Sequence, residues 1–395
     1  MSPRRVAGAS TGVVVGFVAG SLLTLALQGT ARLLERTPIP DAGPVTVPEE
    51  PATFLAWVPG GMPDGFREAV GQIPRLRRAV VVASDNVWLT RSFTRQGEVV
   101  DDPPDGFEIP LEVAAVDPGE YAPFLPPADR GVALALAEGR GVLGESSAKL
   151  RGLGDGAVLE FAGRRVEVAA ILPDELVGAH ELLVSREVGR EIGVVRDRYA
   201  LLQPSDEPTR RELAKRVRSI LAPGTPLRVR APGDTPYFRH GDAVLPPVRI
   251  KELFGEFAAR QGRPGFLILD PEWVSTHIAT ERVQILDRVT CNVALIPQIR
   301  GAIEELVALG LRDTITGYSG CFAPRHLNRD PTAGISHHAW GIAFDVNVPQ
   351  NPYGAPPDQD PRMVRVFERW GFVWGGTFVR PDGMHFEYRR APAGT

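Results

Sequence analysis

The chain has 395 residues, and 43% of them are hydrophobic, which is enough for a buried core and for two or three domains. The net charge of −4 gives no basic surface, so nucleic acid is not an expected partner. Neither of the two cysteines belongs to a C-x-x-C pair, which argues against a zinc site built from cysteine.

The first predicted element is a membrane-spanning helix. No charged residue lies between Arg5 and Arg32, and about 20 apolar residues suffice to cross a bilayer. Because Arg4 and Arg5 precede the stretch, we expect a single-pass protein of the cell membrane, with its N-terminus in the cytoplasm and the rest outside. A cleaved signal peptide is the alternative. No small-x-small cleavage site follows the apolar core, which favours an uncleaved anchor.

Glycines recur at every fourth position of this segment. A helix would place them on one face, where small residues let two membrane helices pack closely: Gly8, Gly12, Gly16 and Gly20. Two interpretations stay open, a homodimer through this face and a mildly apolar helix that happens to use small residues.

The chain divides into four predicted regions. Residues 1–32 form the cytoplasmic tip and transmembrane anchor, and residues 33–53 form a proline-rich linker. Proline at that density predicts an extended, semi-rigid spacer. Residues 54–232 are expected to form a mixed α/β extracytoplasmic domain, and residues 249–395 an α+β domain.

The middle region contains strand and turn patterns but no cluster of chemistry-bearing residues. Strands are predicted at 79–83, 158–161, 164–168 and 181–184, and a helix from Ser205 to about Leu221. Glycine turns and strands at 141–145, 153–156 and 166–172 resemble the extracytoplasmic domain of MacB-type transporter permeases. Because the region has no cluster of His, Cys or paired carboxylates, we expect it to have a binding or spacer role.

The last region alternates helices and short strands. Helices are predicted at about 297–309 and from Asp360 to Trp370, and strands at 314–316, 341–348, 372–374 and 385–388. Along the second strand, Ile342 and Phe344 point one way and Asp345 the other, because side chains alternate along a strand. Asp345 is therefore expected to face away from the apolar core.

Three residues of this region are of the type that zinc prefers: His338, Asp345 and His385. They can converge on one ion if the strand that begins at His385 lies beside the strand of Asp345. Three protein ligands leave the fourth tetrahedral position of zinc open to water, which is typical of catalytic sites. Asp382, three residues before His385, is placed to take a proton from that water and pass it to a leaving amine. The pattern predicts a hydrolase with one Zn²⁺ per chain.

The spacing of these residues resembles that of the zinc D,D-carboxypeptidase and L-alanyl-D-glutamate endopeptidase family (VanY-like) over the last quarter to third of the chain. The motif that carries the resemblance is Ser336-x-His338-x-x-Gly341-x-Ala343-x-Asp345 with Asp382-x-x-His385. The resemblance implies a hedgehog/DD-peptidase-like fold and the zinc ligands His338, Asp345 and His385. It further implies Asp382 as the catalytic acid/base and Arg325 as the residue that steadies the substrate and the developing oxyanion.

For each of the other candidate site residues, a purely structural role must be weighed against a functional one. For Ser336 we expect a hydrogen bond behind the metal ligands rather than a nucleophile, since no Ser-His-Asp arrangement surrounds it. Trp340 is expected in the core or the pocket wall, and His337 is interpreted as a flanking residue. Glu387 lies in His385-Phe386-Glu387, which resembles the closing segment of this family and favours its endopeptidase-like branch. Arg325 could instead be a plain salt-bridge residue.

The two cysteines, Cys291 and Cys321, are expected to pair if the chain is exported. Such a bridge contributes about 3–4 kcal/mol on the loop-entropy account. Two free buried thiols are the alternative.

These observations predict a membrane-anchored, extracytoplasmic zinc peptidase that hydrolyses amide bonds of peptidoglycan stem peptides. Either removal of a terminal D-Ala or cleavage within the stem is compatible with the sequence. The alternative is a non-catalytic protein that binds cell-wall peptide or acts as a scaffold of an envelope complex. That alternative predicts a lost ligand or base, and none is lost. A third hypothesis makes residues 54–232 a partner-docking module.

Overall fold

The computed structural model describes residues 52–235, 238–243 and 245–392. The predicted membrane helix, its glycine face and most of the proline-rich linker lie outside these residues. Within the described ranges, no helix combines the length and the apolar character that a membrane span requires.

Residues 54–230 form a mixed sheet, here called the large sheet. Its strands, among the described residues, are Phe54–Trp57 (β1), Leu76–Phe93 (β2), Ile109–Val116 (β3), Gly141–Gly144 (β4), Val158–Phe161 (β5), Arg164–Leu172 (β6), Leu182–Ser185 (β7), Asp197–Pro204 (β8) and Arg228–Arg230 (β9). Their order is β3-β7-β4-β6-β5-β2-β8-β1-β9. A further pairing between β2 and β3 closes the strands from β2 to β7 into a ring.

Short helices accompany the large sheet. They are Phe66–Ala69 (α1), Pro118–Tyr121 (α2), Val132–Ala137 (α3), Glu145–Arg151 (α4), Arg186–Glu191 (α5) and Arg210–Arg218 (α6). The predicted start of the last helix at Ser205 was wrong, because Thr209 is its N-cap. The Thr209 side chain accepts from the Glu212 N–H, and Glu212 accepts from the Thr209 N–H in return.

The C-terminal part combines helices with small antiparallel sheets. The helices are Pro247–Phe254 (α7), Pro271–His277 (α8), Ile296–Ala308 (α9) and Pro361–Arg369 (α10). Ala259–Gln261 (β10) pairs with Leu267–Leu269 (β11), and Ile278–Val283 (β12) pairs with Asp287–Asn292 (β13). The C-terminal sheet consists of Tyr318–Gly320 (β14), Ala343–Val346 (β15), Phe372–Trp374 (β16) and His385–Tyr388 (β17), in the order β14-β15-β17-β16. The described chain is therefore a mixed α/β protein.

Two strand predictions needed correction. Residues 314–316 do not form a strand, because the Asn347 Oδ1 atom accepts hydrogen bonds from Thr316 N, 2.7 Å, and Thr316 Oγ1, 2.9 Å. The strand of this segment is β14 instead. The predicted strand 341–348 is shortened to β15, because Gly341 and Asn347 have left-handed backbones with φ of 66° and 55°.

One face of the C-terminal sheet packs on α10 through aromatic side chains. Phe344 contacts Phe367 and Phe372 edge-on, with ring centroids 5.2 and 5.1 Å apart. Phe344 and Phe386 are fully buried. Because side chains alternate along β15 and β17, Asp345 and His385 point to the opposite face of this sheet.

Candidate metal centre

His338 lies in a tight 3₁₀ turn, His337–Trp340. Ser336 caps the turn, and its Oγ atom accepts a hydrogen bond from the His338 N–H at 3.4 Å. The turn ends at Gly341, whose φ of 66° favours glycine. A Cβ atom at Gly341 would lie 2.6 Å from the backbone nitrogen of Asn292. The glycine of the motif therefore lets the chain pass from the His338 turn into β15.

Asp345 and His385 come together through strand pairing. β15 and β17 are antiparallel neighbours, and their register sets Asp345 directly opposite His385. Side chains at opposite positions of neighbouring strands lie on the same face of the sheet. The condition that the sequence left open, whether these two strands are adjacent, is met.

The three predicted ligands converge on one point. Asp345 Oδ1 lies 3.4 Å from His338 Nε2 and 3.2 Å from His385 Nδ1. Ligand atoms of all three residues lie within 4.8 Å of one another. Tetrahedral zinc with bonds of about 2.1 Å would set its ligand atoms about 3.4 Å apart. The donor set and its spacing therefore fit a zinc ion.

Each imidazole is oriented by its other nitrogen. His338 Nδ1 lies 2.7 Å from the Cys321 carbonyl oxygen, so as a donor there it leaves Nε2 free to bind a metal. His338 Nε2 is buried and faces Asp345 Oδ1 at 3.4 Å. His385 Nε2 lies 3.2 Å from Glu387 Oε2, and its Nδ1 atom points to Asp345. Partners of this kind behind metal-binding histidines set the tautomer that coordinates.

The charges of the cluster are strongly coupled. Burial alone would raise the pKa of Asp345, but hydrogen bonds from His338 and His385 outweigh it and hold that pKa below its usual range. Burial alone would lower the pKa of His385, but Asp345 and Glu387 raise it to about 10. A metal that binds His385 must therefore displace a proton.

His337 contributes to this cluster, which sequence reasoning missed. Its Nδ1 atom lies 2.9 Å from Glu387 Oε2, the oxygen that also approaches His385. Burial would raise the pKa of Glu387, but His337 and His385 outweigh it and lower that pKa. Glu387 is therefore an ionised carboxylate between two histidines. In the sequence, the one sign of a role for His337 is its position next to His338, and that position does not predict a contact with Glu387.

Asp382 lies in the loop before β17. Its backbone N–H donates to the Gly375 carbonyl at 2.9 Å, and its carbonyl accepts from the His385 N–H at 3.1 Å. The Asp382 Oδ1 atom is buried and has no hydrogen-bond partner among the described residues. Burial raises the pKa of Asp382 above its ordinary value. A partly buried carboxylate with a raised pKa is suited to accept a proton.

Gly375 allows Asp382 to take this position. A Cβ atom at Gly375 would lie 2.5 Å from the Asp382 carbonyl oxygen and 3.2 Å from the His385 Cβ atom. The loop therefore passes Gly375 at a distance that a larger residue would not permit.

Arg325 is half-buried beside the cluster. Burial lowers the pKa of its guanidinium, while Asp345 and Asp382 act in the opposite direction. Within the described part of the chain, Arg325 has no salt bridge within 4.0 Å. The alternative, that Arg325 only forms a salt bridge, therefore lacks an acidic partner among the described residues.

Two further aromatic residues flank the site. Trp340 is 2% exposed and packs on Phe257, with ring centroids 4.6 Å apart, so it belongs to the core. Tyr318, on β14, has a buried hydroxyl without a hydrogen bond to the described residues. Burial, and secondarily Asp345, raise the pKa of Tyr318. Sequence reasoning missed Tyr318 because the strand was predicted at 314–316.

Cys291 and Cys321 form a disulfide bond, with Cα atoms 5.4 Å apart. The expected pairing is confirmed, and the alternative of two free thiols was wrong. The bridge ties the end of β13 to the segment whose Cys321 carbonyl orients His338. The disulfide bond therefore holds in place a backbone carbonyl that orients a candidate metal ligand.

Comparison with known proteins supports the interpretation of this region. Residues 329–388 match the family model described as D-alanyl-D-alanine carboxypeptidase. This stretch is similar to D-alanyl-D-alanine carboxypeptidases. The match confirms the predicted family resemblance at the C-terminus, and we call residues 329–388 the peptidase segment. It contains His338, Asp345, Asp382 and His385, whereas Arg325 lies four residues before it.

No curated protein matches the chain in sequence. Two similar solved structures are the periplasmic region of MacB from Actinobacillus actinomycetemcomitans and the extracellular domain of the noncanonic ABC-type transporter YknZ from Gram-positive bacteria. They share 13% and 12% identity, and both have a TM-score of 0.31. Each comparison covers 45% of this chain, with 88% of the first structure and 98% of the second.

Proposed function

We propose that this protein is a zinc-dependent peptidase that hydrolyses amide bonds of peptidoglycan stem peptides. The observation that carries the proposal is one arrangement. His338, Asp345 and His385 present ligand atoms within 4.8 Å of one another, in a segment that also contains Asp382, whose buried Oδ1 atom has no hydrogen-bond partner among the described residues.

The residues have distinct roles in the proposed reaction. A bound zinc ion would polarise the substrate carbonyl and lower the pKa of a water molecule to about 7. Asp382 accepts the proton of the attacking water and delivers it to the leaving amine nitrogen. Arg325 donates hydrogen bonds to the carbonyl oxygen as negative charge develops there. Loss of the proton from His385 prepares its Nδ1 atom for the metal.

We further propose that the protein acts outside the cytoplasm, with residues 1–32 as a single membrane anchor. The Cys291–Cys321 bridge fits an oxidising compartment. The similarity of residues 329–388 to D-alanyl-D-alanine carboxypeptidases supports stem peptides as the substrate. Both removal of a terminal D-Ala and cleavage within the stem are compatible with this proposal.

The deciding experiment is mass spectrometry of stem-peptide digests with and without a metal chelator. We expect zinc-dependent products whose masses identify the bond cleaved. An Asp382→Asn variant should lose about 10²- to 10⁴-fold in kcat while it retains its zinc, because the base is removed and the ligands are not. Asp313→Asn is the matched control, since the Asp313 side chain is 97% exposed.

Two results would contradict the proposal. Cleavage that persists in the presence of the chelator would exclude a metal-dependent reaction. Unchanged product release by Asp382→Asn would exclude Asp382 as the catalytic base. Binding of stem peptide by the zinc-loaded protein without any cleavage would instead support the non-catalytic alternative.

A further inference from the structure

The loop that carries Asp382 has contacts on two sides. On its inner side, the C-terminal part holds it: the Trp374 Nε1–H donates to the Gly383 carbonyl at 2.8 Å, and the Gly354 N–H donates to the Pro381 carbonyl at 2.7 Å. On its outer side, residues 377–379 contact groups that lie outside the peptidase segment.

The outer contacts come from one ion pair. Arg228 Nη1 and Asp242 Oδ1 lie 3.2 Å apart. Arg228 Nη2 donates to the Thr377 carbonyl at 3.2 Å, and Asp242 Oδ2 accepts from the Val379 N–H at 2.9 Å. The cation thus binds a backbone acceptor and the carboxylate binds a backbone donor two residues further on. Hydrogen bonds to charged groups are stronger than those between neutral groups.

Apolar packing accompanies the polar contacts. Val379 packs, partly buried, against a core cluster of the large sheet that includes Leu55 and Trp57. Val379 is three residues before Asp382. Part of the loop of the proposed base is therefore seated on the large sheet rather than on its own sheet.

The segment that presents Asp242 is itself fixed to the large sheet. Arg230, on β9, donates hydrogen bonds to the carbonyls of Arg239 and of Gly241, the latter at 2.6 Å. Arg239 in turn donates to Glu112 Oε1 at 2.5 Å, and both side chains are at most 10% exposed. The segment of Asp242 is consequently attached to the large sheet by hydrogen bonds from charged side chains.

A second loop of the peptidase segment is attached in the same way. Arg196 Nη2 donates to Thr332 Oγ1 at 2.7 Å, and Arg198 Nη2 donates to the Thr332 carbonyl at 3.3 Å. Thr332 lies six residues before His338. Both loops that lead to the proposed site are thus anchored on residues of the preceding part of the chain.

We propose that Arg228 and Asp242 form a clamp that positions the loop of Asp382, so that the peptidase segment requires the large sheet for full activity. The catalytic part of this inference rests on the proposed function. Arg228 and Asp242 are positioning residues, since they act on the reaction through the backbone of residues 377–379. Through this clamp the large sheet would support the reaction, although its sequence has no cluster of catalytic residues.

The test uses the full chain with Asp242→Ala and the conservative variant Asp242→Asn. We expect Asp242→Ala to lose about 10- to 100-fold in kcat, because small misplacements of a catalytic group have effects of this size. KM and zinc content should stay at wild-type values, since neither ligands nor substrate contacts change. Asp242→Asn keeps an oxygen acceptor for the Val379 N–H and should recover part of the lost kcat. The control is Arg164→Ala, which removes an exposed ion pair of the large sheet, Arg164–Glu191, 2.8 Å.

Hydrogen exchange of residues 375–384 gives a readout that needs no substrate. Faster exchange in Asp242→Ala than in Arg164→Ala, with residues 52–230 unchanged, would support the clamp. Exchange and kcat equal to those of Arg164→Ala would overturn it while the wild-type protein still cleaves stem peptides. If the wild-type protein cleaves nothing, the proposed function fails, and unchanged exchange would separately overturn the clamp.

Discussion

Asp345 is the central carboxylate of the candidate metal site. Its Oδ1 atom is the common neighbour of His338 Nε2 and His385 Nδ1. The alternation of β15 was enough to predict that Asp345 faces away from the apolar side. The sequence did not reveal which residue lies opposite Asp345, because pairing between strands is not encoded in local spacing.

Glu387 is expected to tune the metal affinity of His385. A Glu387→Gln substitution keeps the shape of the side chain but removes the negative charge that faces His385 Nε2. We expect zinc affinity to fall about 10- to 100-fold, as for other partners behind a metal-binding histidine. Competition with a chromogenic chelator measures the dissociation constant directly.

A matched variant separates this effect from a general loss of a carboxylate. Glu305→Gln removes a charge from the surface pair between Glu305 and Arg369, on α9 and α10. Its zinc affinity should equal that of the wild-type protein. Equal affinities for Glu387→Gln and Glu305→Gln would show that Glu387 does not support the metal.

At the scale of elements, the disulfide joins two segments that hold the site. Beside the bridge, the Phe322 N–H donates to the Thr290 carbonyl at 2.9 Å, and the Ala323 N–H donates to the His338 carbonyl at 2.9 Å. The hairpin of β12 and β13 thus supports the turn of His338. The two cysteines are 30 residues apart in sequence, so the bridge closes a loop of moderate length.

Removal of this bridge should weaken both the fold and the metal site. A double variant, Cys291→Ala with Cys321→Ala, is expected to lose about 3–4 kcal/mol of unfolding free energy on the loop-entropy account. Zinc affinity should fall as well, because the Cys321 carbonyl that orients His338 is less firmly held. Urea unfolding measures the loss of unfolding free energy, provided that the dependence of this free energy on urea concentration is the same in both proteins.

Reductant provides the control for the disulfide experiment. It should lower the urea midpoint of the wild-type protein toward that of the double variant and leave the double variant unchanged. Identical midpoints of the oxidised wild-type protein and the double variant would contradict a stabilising role.

At the scale of the whole molecule, a buried ionic network links the large sheet to the C-terminal part. Lys251 Nζ, on α7, lies 2.7 Å from Glu181 Oε1 and 2.8 Å from Glu256 Oε1. Arg151, at the end of α4, pairs with Glu256 at 2.5 Å. Burial would raise the pKa of Glu256, but Lys251 and Arg151 outweigh it and lower that pKa. The two parts of the molecule therefore share a network of charges that are mostly buried.

A Lys251→Met substitution should cost about 3–5 kcal/mol of unfolding free energy, because it leaves Glu181 and Glu256 buried with less compensation. Denaturant unfolding measures the change. Lys149→Met, at an exposed position of α4, should change stability by no more than about 0.5 kcal/mol. A Lys251→Met variant as stable as Lys149→Met would show that the network contributes little.

Several features of this protein were predictable from local sequence alone. The residues of the metal cluster, the helices α9 and α10 and the strands β16 and β17 follow from spacing, capping residues and alternation, which act over a few neighbouring positions. The motif around His338 and Asp345 was specific for the same reason, since it specifies residue types at several fixed distances along the chain.

Other features were decided only by tertiary structure. The adjacency of β15 and β17, the contact of His337 with Glu387 and the clamp of Arg228 and Asp242 each join residues far apart in the chain. Such contacts depend on packing and on strand register, which local spacing does not specify. The sequence by itself thus determined which side chains can bind a metal and which can accept a proton. The tertiary structure decided that they meet, and that groups outside the peptidase segment hold the loop of Asp382, because long-range contacts form only when the whole core is assembled.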